Sequence, residues 1–233
     1  MAITKLIRAA ALLLAASPAP VLADGHEHAA LAWGARAEAD GLSGDPADAR
    51  WEARLWLGGD NSRLLLRSEG AHADGHTQAG TWALLSRRLD SFWDVQAGLR
   101  ADSGPDGGHY AVLGIEGLAP YFFDSEAHVF VDGDGDISLR LHQSVDVLLT
   151  RKLVLQPRLE LGAGLRQGRD PAQDTGLRDS EAGLRLRYEL RREFAPYVEW
   201  WRERHHGGTA DLLRTRGEAT GDSGLRLGVM LRF

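Results

Sequence analysis

The sequence predicts an all-β fold, a transmembrane antiparallel up-and-down β-barrel of about twelve strands that follows a cleaved signal peptide. Three observations predict it: an N-terminal segment of the secretory type, long segments in which apolar and polar residues alternate, and connections that alternate between short and long. Successive side chains of a strand point to opposite faces, so a two-residue period is typical of sheet. We divide the chain into a signal peptide at 1–23, a short histidine-containing segment at 24–30 and an outer-membrane β-barrel at 31–233.

The N-terminal segment has the order of residues that is typical of a secretory signal. Lys5 and Arg8 accompany an apolar run at 9–16, and residues 21–23 supply small side chains at the expected cleavage site. The run is too short to span roughly 30 Å of hydrocarbon as a helix, which disfavours a membrane anchor. Losing Lys5 and Arg8 with the signal takes the net charge from −6 to −8. Nucleic acid is therefore excluded as a partner, because phosphate binding needs a basic face.

The alternation is clearest over residues 137–150. Aliphatic side chains occupy the odd positions except at Gln143, and polar or charged side chains occupy nearly all the even positions. A soluble β-sandwich also has one apolar face, but its strands are mostly about 5–6 residues long. The segments here approach or exceed the roughly 9–11 residues with which a tilted strand crosses a membrane. The apolar face is thus expected to contact outer-membrane lipid, and the polar face to line a lumen.

The connections between the predicted strands support the same fold. Those after even-numbered strands have two or three residues, whereas those after odd-numbered strands are mostly longer, as at 69–78 and 205–219. Outer-membrane barrels have short periplasmic turns, longer external loops and an even number of strands. We therefore expect the cell outer membrane of a Gram-negative bacterium, with both termini in the periplasm. The predicted strands lie at 31–39, 49–57, 61–68, 79–89, 92–100, 109–117, 121–131, 137–150, 153–166, 177–190, 194–204 and 220–233.

One candidate metal site follows from the predicted hairpin around the turn at 132–136. Pairing across this turn places Glu126 opposite His142 and His128 opposite Arg140. Residues directly opposed on an antiparallel pair have Cβ atoms about 4.5–5.5 Å apart, so Glu126, His128 and His142 can converge on one ion in the lumen. The same residues allow an alternative, a salt bridge between Glu126 and a protonated His142.

The turn at 132–136 itself resembles the start of a calcium-binding EF-hand loop. Ile137 stands where that loop needs glycine, however, and Gln143 stands where it needs a bidentate glutamate. We therefore interpret the turn as a Gly/Asp-rich hairpin connection rather than as a calcium site.

A second candidate metal site lies at the predicted start of the mature chain. His26 and His28 are separated by one residue and lie beside Asp24 and Glu27. Imidazole and carboxylate groups together suit Cu(II) and zinc. The alternative is a polar terminus that binds no ion.

Seven segments that follow one another through the mature chain carry a family resemblance, at 50–70, 92–98, 148–150, 155–160, 176–177, 183–189 and 191–197. Taken in order, they resemble the bacterial copper resistance protein B family. The resemblance implies an outer-membrane protein of copper tolerance that binds or exports copper beside periplasmic copper-handling proteins. Members of this family often begin with a Met- and His-rich segment, but here the mature chain has one methionine, Met230. We therefore expect Cu(II), bound through histidines and carboxylates, rather than Cu(I), which prefers thioether ligands.

The sequence contains none of the common catalytic motifs. It has no cysteine, no Gly-x-Ser-x-Gly element and no His-Glu-x-x-His element. We therefore expect a protein that is not an enzyme. Two alternatives stay open, a passive or structural outer-membrane barrel or channel without metal binding, and an outer-membrane hydrolase that assembles Ser, His and Asp from separate strands.

Overall fold

The structure, a computed structural model, describes residues 31–42, 48–73, 75–104, 107–166 and 175–233. Residues 1–30, and with them the predicted signal peptide, His26 and His28, lie outside the described residues. The chain forms one antiparallel sheet in which each strand pairs with its neighbours in sequence. The strands are β1 (Ala32–Leu42), β2 (Ala49–Gly58), β3 (Ser62–Ala73), β4 (His76–Arg88), β5 (Trp93–Ser103), β6 (His109–Ala119), β7 (Phe123–Asp132), β8 (Ile137–Ser144), β9 (Val147–Leu148), β10 (Leu153–Arg166), β11 (Gly176–Tyr188), β12 (Phe194–His205) and β13 (Gly221–Arg232).

The sheet closes into a barrel because β1 pairs with both β2 and β13. Strands β8 and β9 are two parts of one barrel strand, since both pair with β10 in the same register. The interruption between them faces Pro157, which has no N–H group to donate to the ladder. The Val145 N–H still donates to the Pro157 carbonyl over 3.3 Å. The predicted count of twelve strands is confirmed.

Two of the predicted long connections differ from the structure. Most of the expected loop at 69–78 is strand, because β3 continues to Ala73 and β4 already begins at His76. Both faces of these strand ends carry small or polar side chains, so the two-residue period disappears although the backbone pairing continues. The expected loop at 205–219 contains a helix, α1 (Gly207–Thr215), which ends before Gly217 at φ +75°. Its start has no side-chain cap, so the usual sequence signal for a helix start is missing.

The barrel is apolar on its outer face and polar on its inner face, which is the reverse of a soluble protein. Outward leucines such as Leu99 and Leu113 are 67% and 63% exposed, whereas the inward Arg185 and Glu199 are 2% and 1% exposed. An apolar outer band around a polar interior is typical of a transmembrane barrel, in which closure satisfies every strand edge. Within the described part of the chain, no helix is long and apolar enough to cross a membrane.

The lumen is partly filled by packed side chains. A cluster of buried apolar side chains projects inward from β3, β4, β6 and β7, and a smaller one from β12 and β13. Close packing in the lumen depends on glycine: a Cβ atom on Gly114 would lie 2.3 Å from Cδ2 of His128, the residue opposite it. The larger cluster contains Leu65, Trp82, Leu84, Val112 and Phe130, and the smaller contains Ala195, Tyr197 and Met230.

The turn at 132–136 has the features of a hairpin connection. The Asp132 carboxylate accepts hydrogen bonds from the backbone N–H groups of Asp134 and Asp136 over 2.9 and 3.0 Å. Gly135 adopts φ +88°, a conformation that glycine reaches without a steric cost. The sequence run of glycine and aspartate is therefore explained by the turn.

Candidate functional site in the barrel lumen

A cavity of about 990 Å³ lies inside the barrel. Thirteen carboxylates and nine arginines line it, which leaves a formal excess of four negative charges when histidine is neutral. A cleft with one dominant sign of charge raises the local concentration of the opposite ion. The cavity is therefore suited to cations. His72 and His142 also line it.

The first group of side chains beside the cavity is the tryptophan cluster, formed by Trp82, Arg67, Arg100, Arg140 and Glu69. The three guanidinium carbons lie 5.0, 4.9 and 5.5 Å from the centroid of the buried Trp82 ring, within the range of cation–π attraction. The Glu69 carboxylate faces all three arginines, and its contact with Arg140 is 2.7 Å long. These shared contacts hold three like charges together in the lumen.

Glu126, one of the predicted metal ligands, lies next to this cluster. One of its carboxylate oxygens accepts from Arg54 over 2.6 Å and the other accepts from Arg67 over 2.8 Å. Arg54 also donates to Glu116 over 2.7 Å. Both oxygens of Glu126 are thus engaged by arginine, and a metal ion would have to compete with these contacts.

His142 faces the cavity beside a different carboxylate. It lies opposite Glu126 on β7, as predicted, and opposite Glu160 on β10. Its Nδ1 atom is 3.7 Å from Oε2 of Glu160, and Oε1 of the same carboxylate lies 3.4 Å from Nε of Arg140. The pairing of His128 with Arg140 is confirmed as well. The sequence did not single out Glu160 as a partner of His142, although both occupy inward positions on adjacent strands.

His128, the third predicted ligand, contacts side chains other than Glu126 and His142. It is buried, its Nε2 atom is 2.8 Å from Oε1 of Gln96, and its ring meets Trp82 edge-on at 5.2 Å. His128 is not among the residues that line the large cavity. Among the described residues, no group of three or more His, Asp or Glu side chains is arranged to hold a metal ion. The ligand roles of Glu126, His128 and His142 stay predictions.

The opposite side of the lumen contains a second group, the tyrosine cluster, formed by Tyr197, Arg185, Glu38, Glu199 and Asp40. The Arg185 guanidinium carbon lies 4.0 Å from the Tyr197 ring centroid, and this arginine donates to Glu199 over 2.7 Å and to Glu38 over 2.5 Å. The Tyr197 hydroxyl donates to Asp40 over 2.8 Å. Because Arg185 and Glu199 are almost completely buried, this cluster fixes the packing between β1, β11 and β12.

The sequence contained a signal for several inward carboxylates that were not singled out as lumen residues. On β1, Glu38 and Asp40 alternate with alanines, so their inward direction follows from the two-residue period. The contacts of Glu38 and Glu199 with Arg185 join residues far apart in sequence, and period alone does not predict them.

Comparisons with known proteins agree on one family. A family model described as copper resistance protein B precursor matches residues 34–233. Copper resistance protein B of Escherichia coli is 41% identical over 170 residues, which cover 72% of this chain and 57% of that protein. A copper resistance protein B homolog of Pseudomonas syringae pv. tomato (strain ATCC BAA-871 / DC3000) is 40% identical over 185 residues, which cover 78% of this chain and 63% of that protein. The chain thus spans about three fifths of the length of these relatives.

Solved structures agree with the fold. The NanC porin superposes with a TM-score of 0.54 at 14% identity, covering 84% of this chain and 98% of the porin. A second structure, from a study of the in-meso crystallization of membrane proteins, has a TM-score of 0.51 at 10% identity and covers 86% of this chain and 83% of its own. At these identities the likeness concerns the fold alone.

Proposed function

The chain belongs to the copper resistance protein B family, and we propose that it acts in copper resistance by binding copper ions, by helping to export them, or by both. We propose that this role is non-enzymatic and that the protein acts in the cell outer membrane. The outward leucines would contact lipid, and periplasmic copper-handling proteins would be its partners. The names of its relatives state copper resistance, and the binding, the export, the location and the partners are part of the proposal.

The charge of the large cavity is the observation that carries this proposal. Its excess of carboxylates over arginines favours cations, and carboxylate and imidazole groups are ligands that Cu(II) accepts. His142 and Glu160 supply both types of ligand at adjacent positions on that cavity. Met230 is almost completely buried and is not among the residues that line the cavity. The proposal therefore favours Cu(II) over Cu(I) there.

A second candidate function is a passive or structural barrel whose lumen binds no metal. The contacts of Glu126 favour it, because both carboxylate oxygens are engaged by arginine. The contact of His128 with Gln96 favours it too, since that contact occupies Nε2 of the imidazole. In this alternative the inward charges only fill and rigidify the barrel.

Metal titration of the purified, refolded protein separates these two functions. The proposal predicts copper binding above that of matched zinc and nickel titrations, and weaker or fewer copper sites in the Glu126→Ala and His142→Ala variants. His109→Ala is a matched control, because His109 is exposed and is not among the cavity-lining residues. A His26→Ala/His28→Ala variant measures how much of the copper binding is due to the N-terminal segment. Unchanged stoichiometry and affinity in both lumen variants would favour the passive barrel.

A cellular experiment tests the role in resistance. A strain that lacks the gene should survive less well in copper, and the wild-type gene should restore survival. If the His142→Ala gene restores survival fully while the purified variant binds less copper, copper binding in the lumen is not the basis of resistance.

A further inference from the structure

Along β12, the outward-facing side chains change from apolar to charged. Glu199, Trp201 and Glu203 point into the lumen, so Trp200, Arg202 and Arg204 point outward. Trp200 is 46% exposed, and both arginines are exposed. Strand β12 begins after the short turn at 189–193 and runs toward α1, so the two arginines lie at its outer end.

The position of these arginines fixes the level of the membrane boundary. A charged residue on the lipid-facing side of a barrel is costly near the bilayer midplane and inexpensive near the interfaces. Aromatic side chains such as Trp200 are typical of the interface itself. In the outer membrane that the proposed function assigns to this barrel, on which this inference rests, Arg202 and Arg204 therefore lie at the level of the outer headgroups.

A small groove of about 250 Å³ adjoins the two arginines. Leu159, Ser180 and Ala182 form the rest of its lining. The Nε2 atom of His206 lies 2.8 Å from Oγ of Ser180, so the His206 imidazole contacts one of the residues that line the groove. Neither arginine forms an ion pair with a carboxylate of a described residue.

We propose that this outer arginine groove, lined by Leu159, Ser180, Ala182, Arg202 and Arg204, binds the phosphate headgroup of a lipid in the outer leaflet. Guanidinium groups bind phosphate through charge-assisted, often bidentate hydrogen bonds. Two positions on one face of a strand are about 7 Å apart, so both arginines can reach one phosphorylated headgroup. Leu159 and Ala182 lie in register with Arg202 on the neighbouring strands β10 and β11 and would contact the start of an acyl chain.

Binding of phosphorylated lipid A in detergent tests this proposal. Affinity is measured for the wild-type protein, for the Arg202→Glu/Arg204→Glu variant, and for an Arg191→Glu/Arg192→Glu control. The control makes the same change of charge at two exposed arginines in the short turn at the other end of the barrel. Resistance of each variant to heat unfolding in detergent shows that the barrel is intact.

The proposal predicts that the Arg202→Glu/Arg204→Glu variant loses about tenfold or more in affinity for lipid A, as expected when two charge-assisted contacts are removed. The control variant should bind about as well as the wild type, and dephosphorylated lipid A should bind wild type and variant equally weakly. An equal loss of affinity in both variants would show that net charge alone causes the effect. That result would overturn the proposal. Equally tight binding of the dephosphorylated lipid to the wild type would overturn phosphate recognition.

Discussion

The two sides of the lumen combine arginine with an aromatic ring in different ways. In the tryptophan cluster, three arginines surround one ring and share carboxylates that line the large cavity. In the tyrosine cluster, a single arginine lies over the ring, and its carboxylate partners Glu38 and Glu199 are almost fully buried. Both clusters border the large cavity, but the charged partners of the tyrosine cluster are almost fully buried, whereas Glu69 and its three arginines are between 11% and 25% exposed.

This difference indicates which charged side chains can bind a cation. A buried ion pair that is broken on one side leaves an uncompensated charge, so the tyrosine cluster must stay intact for the barrel to be stable. In the tryptophan cluster Arg67 contacts Glu52, Glu69 and Glu126, so the loss of one contact leaves two others, whereas Arg185 keeps only Glu38 among the described residues when Glu199 is lost. We infer that the tyrosine cluster stabilises the barrel. We infer that a cation binds on the side of the cavity that the tryptophan cluster borders.

The largest effect is expected at Glu199. Glu199→Gln removes the charge that Arg185 and Arg158 contact in the buried tyrosine cluster. The expected loss in the free energy of unfolding is about 3–5 kcal/mol, as for other buried pairs broken on one side. Urea unfolding of the protein in lipid vesicles measures it. Glu52→Gln is the control, since Glu52 is partly exposed and contacts Arg67, which has other partners.

A smaller effect is expected at Glu126. In the Glu126→Gln variant, Arg54 keeps Glu116, and Arg67 keeps Glu52 and Glu69. The free energy of unfolding should fall by about 2 kcal/mol, as for a lost charge-assisted hydrogen bond. The same urea experiment measures it. A loss as large as that of Glu199→Gln would contradict the distinction between the two clusters.

The smallest effect is expected at Gly114. In Gly114→Ala the new methyl group meets the His128 ring, which must shift against Trp82. Crowding of this kind should cost about 1 kcal/mol of unfolding free energy. Gly133→Ala is the control, because a Cβ atom there meets nothing within 4 Å. If both variants unfold alike, the packing of His128 against Gly114 contributes nothing measurable.

The sequence predicts the barrel better than it predicts the site. The two-residue period and the turns predict twelve strands and the opposition of Glu126 and His142, because both depend on local backbone geometry. The side-chain contacts across the lumen, such as Arg54 with Glu126, depend on the curvature and tilt of the closed sheet, which no local pattern encodes. The direction of His128 toward Gln96 depends in turn on Gly114, whose missing side chain makes room for the ring.

Electron paramagnetic resonance of Cu(II) tests most directly whether His142 binds copper in the lumen cavity. The protein is loaded with one equivalent of Cu(II) in a His26→Ala/His28→Ala background, so that the N-terminal histidines cannot contribute. A copper site at His142 should give nitrogen hyperfine coupling from an imidazole that disappears in the His142→Ala variant and persists in His109→Ala. A spectrum without nitrogen coupling, or one that His142→Ala leaves unchanged, would contradict the assignment of the copper site to His142.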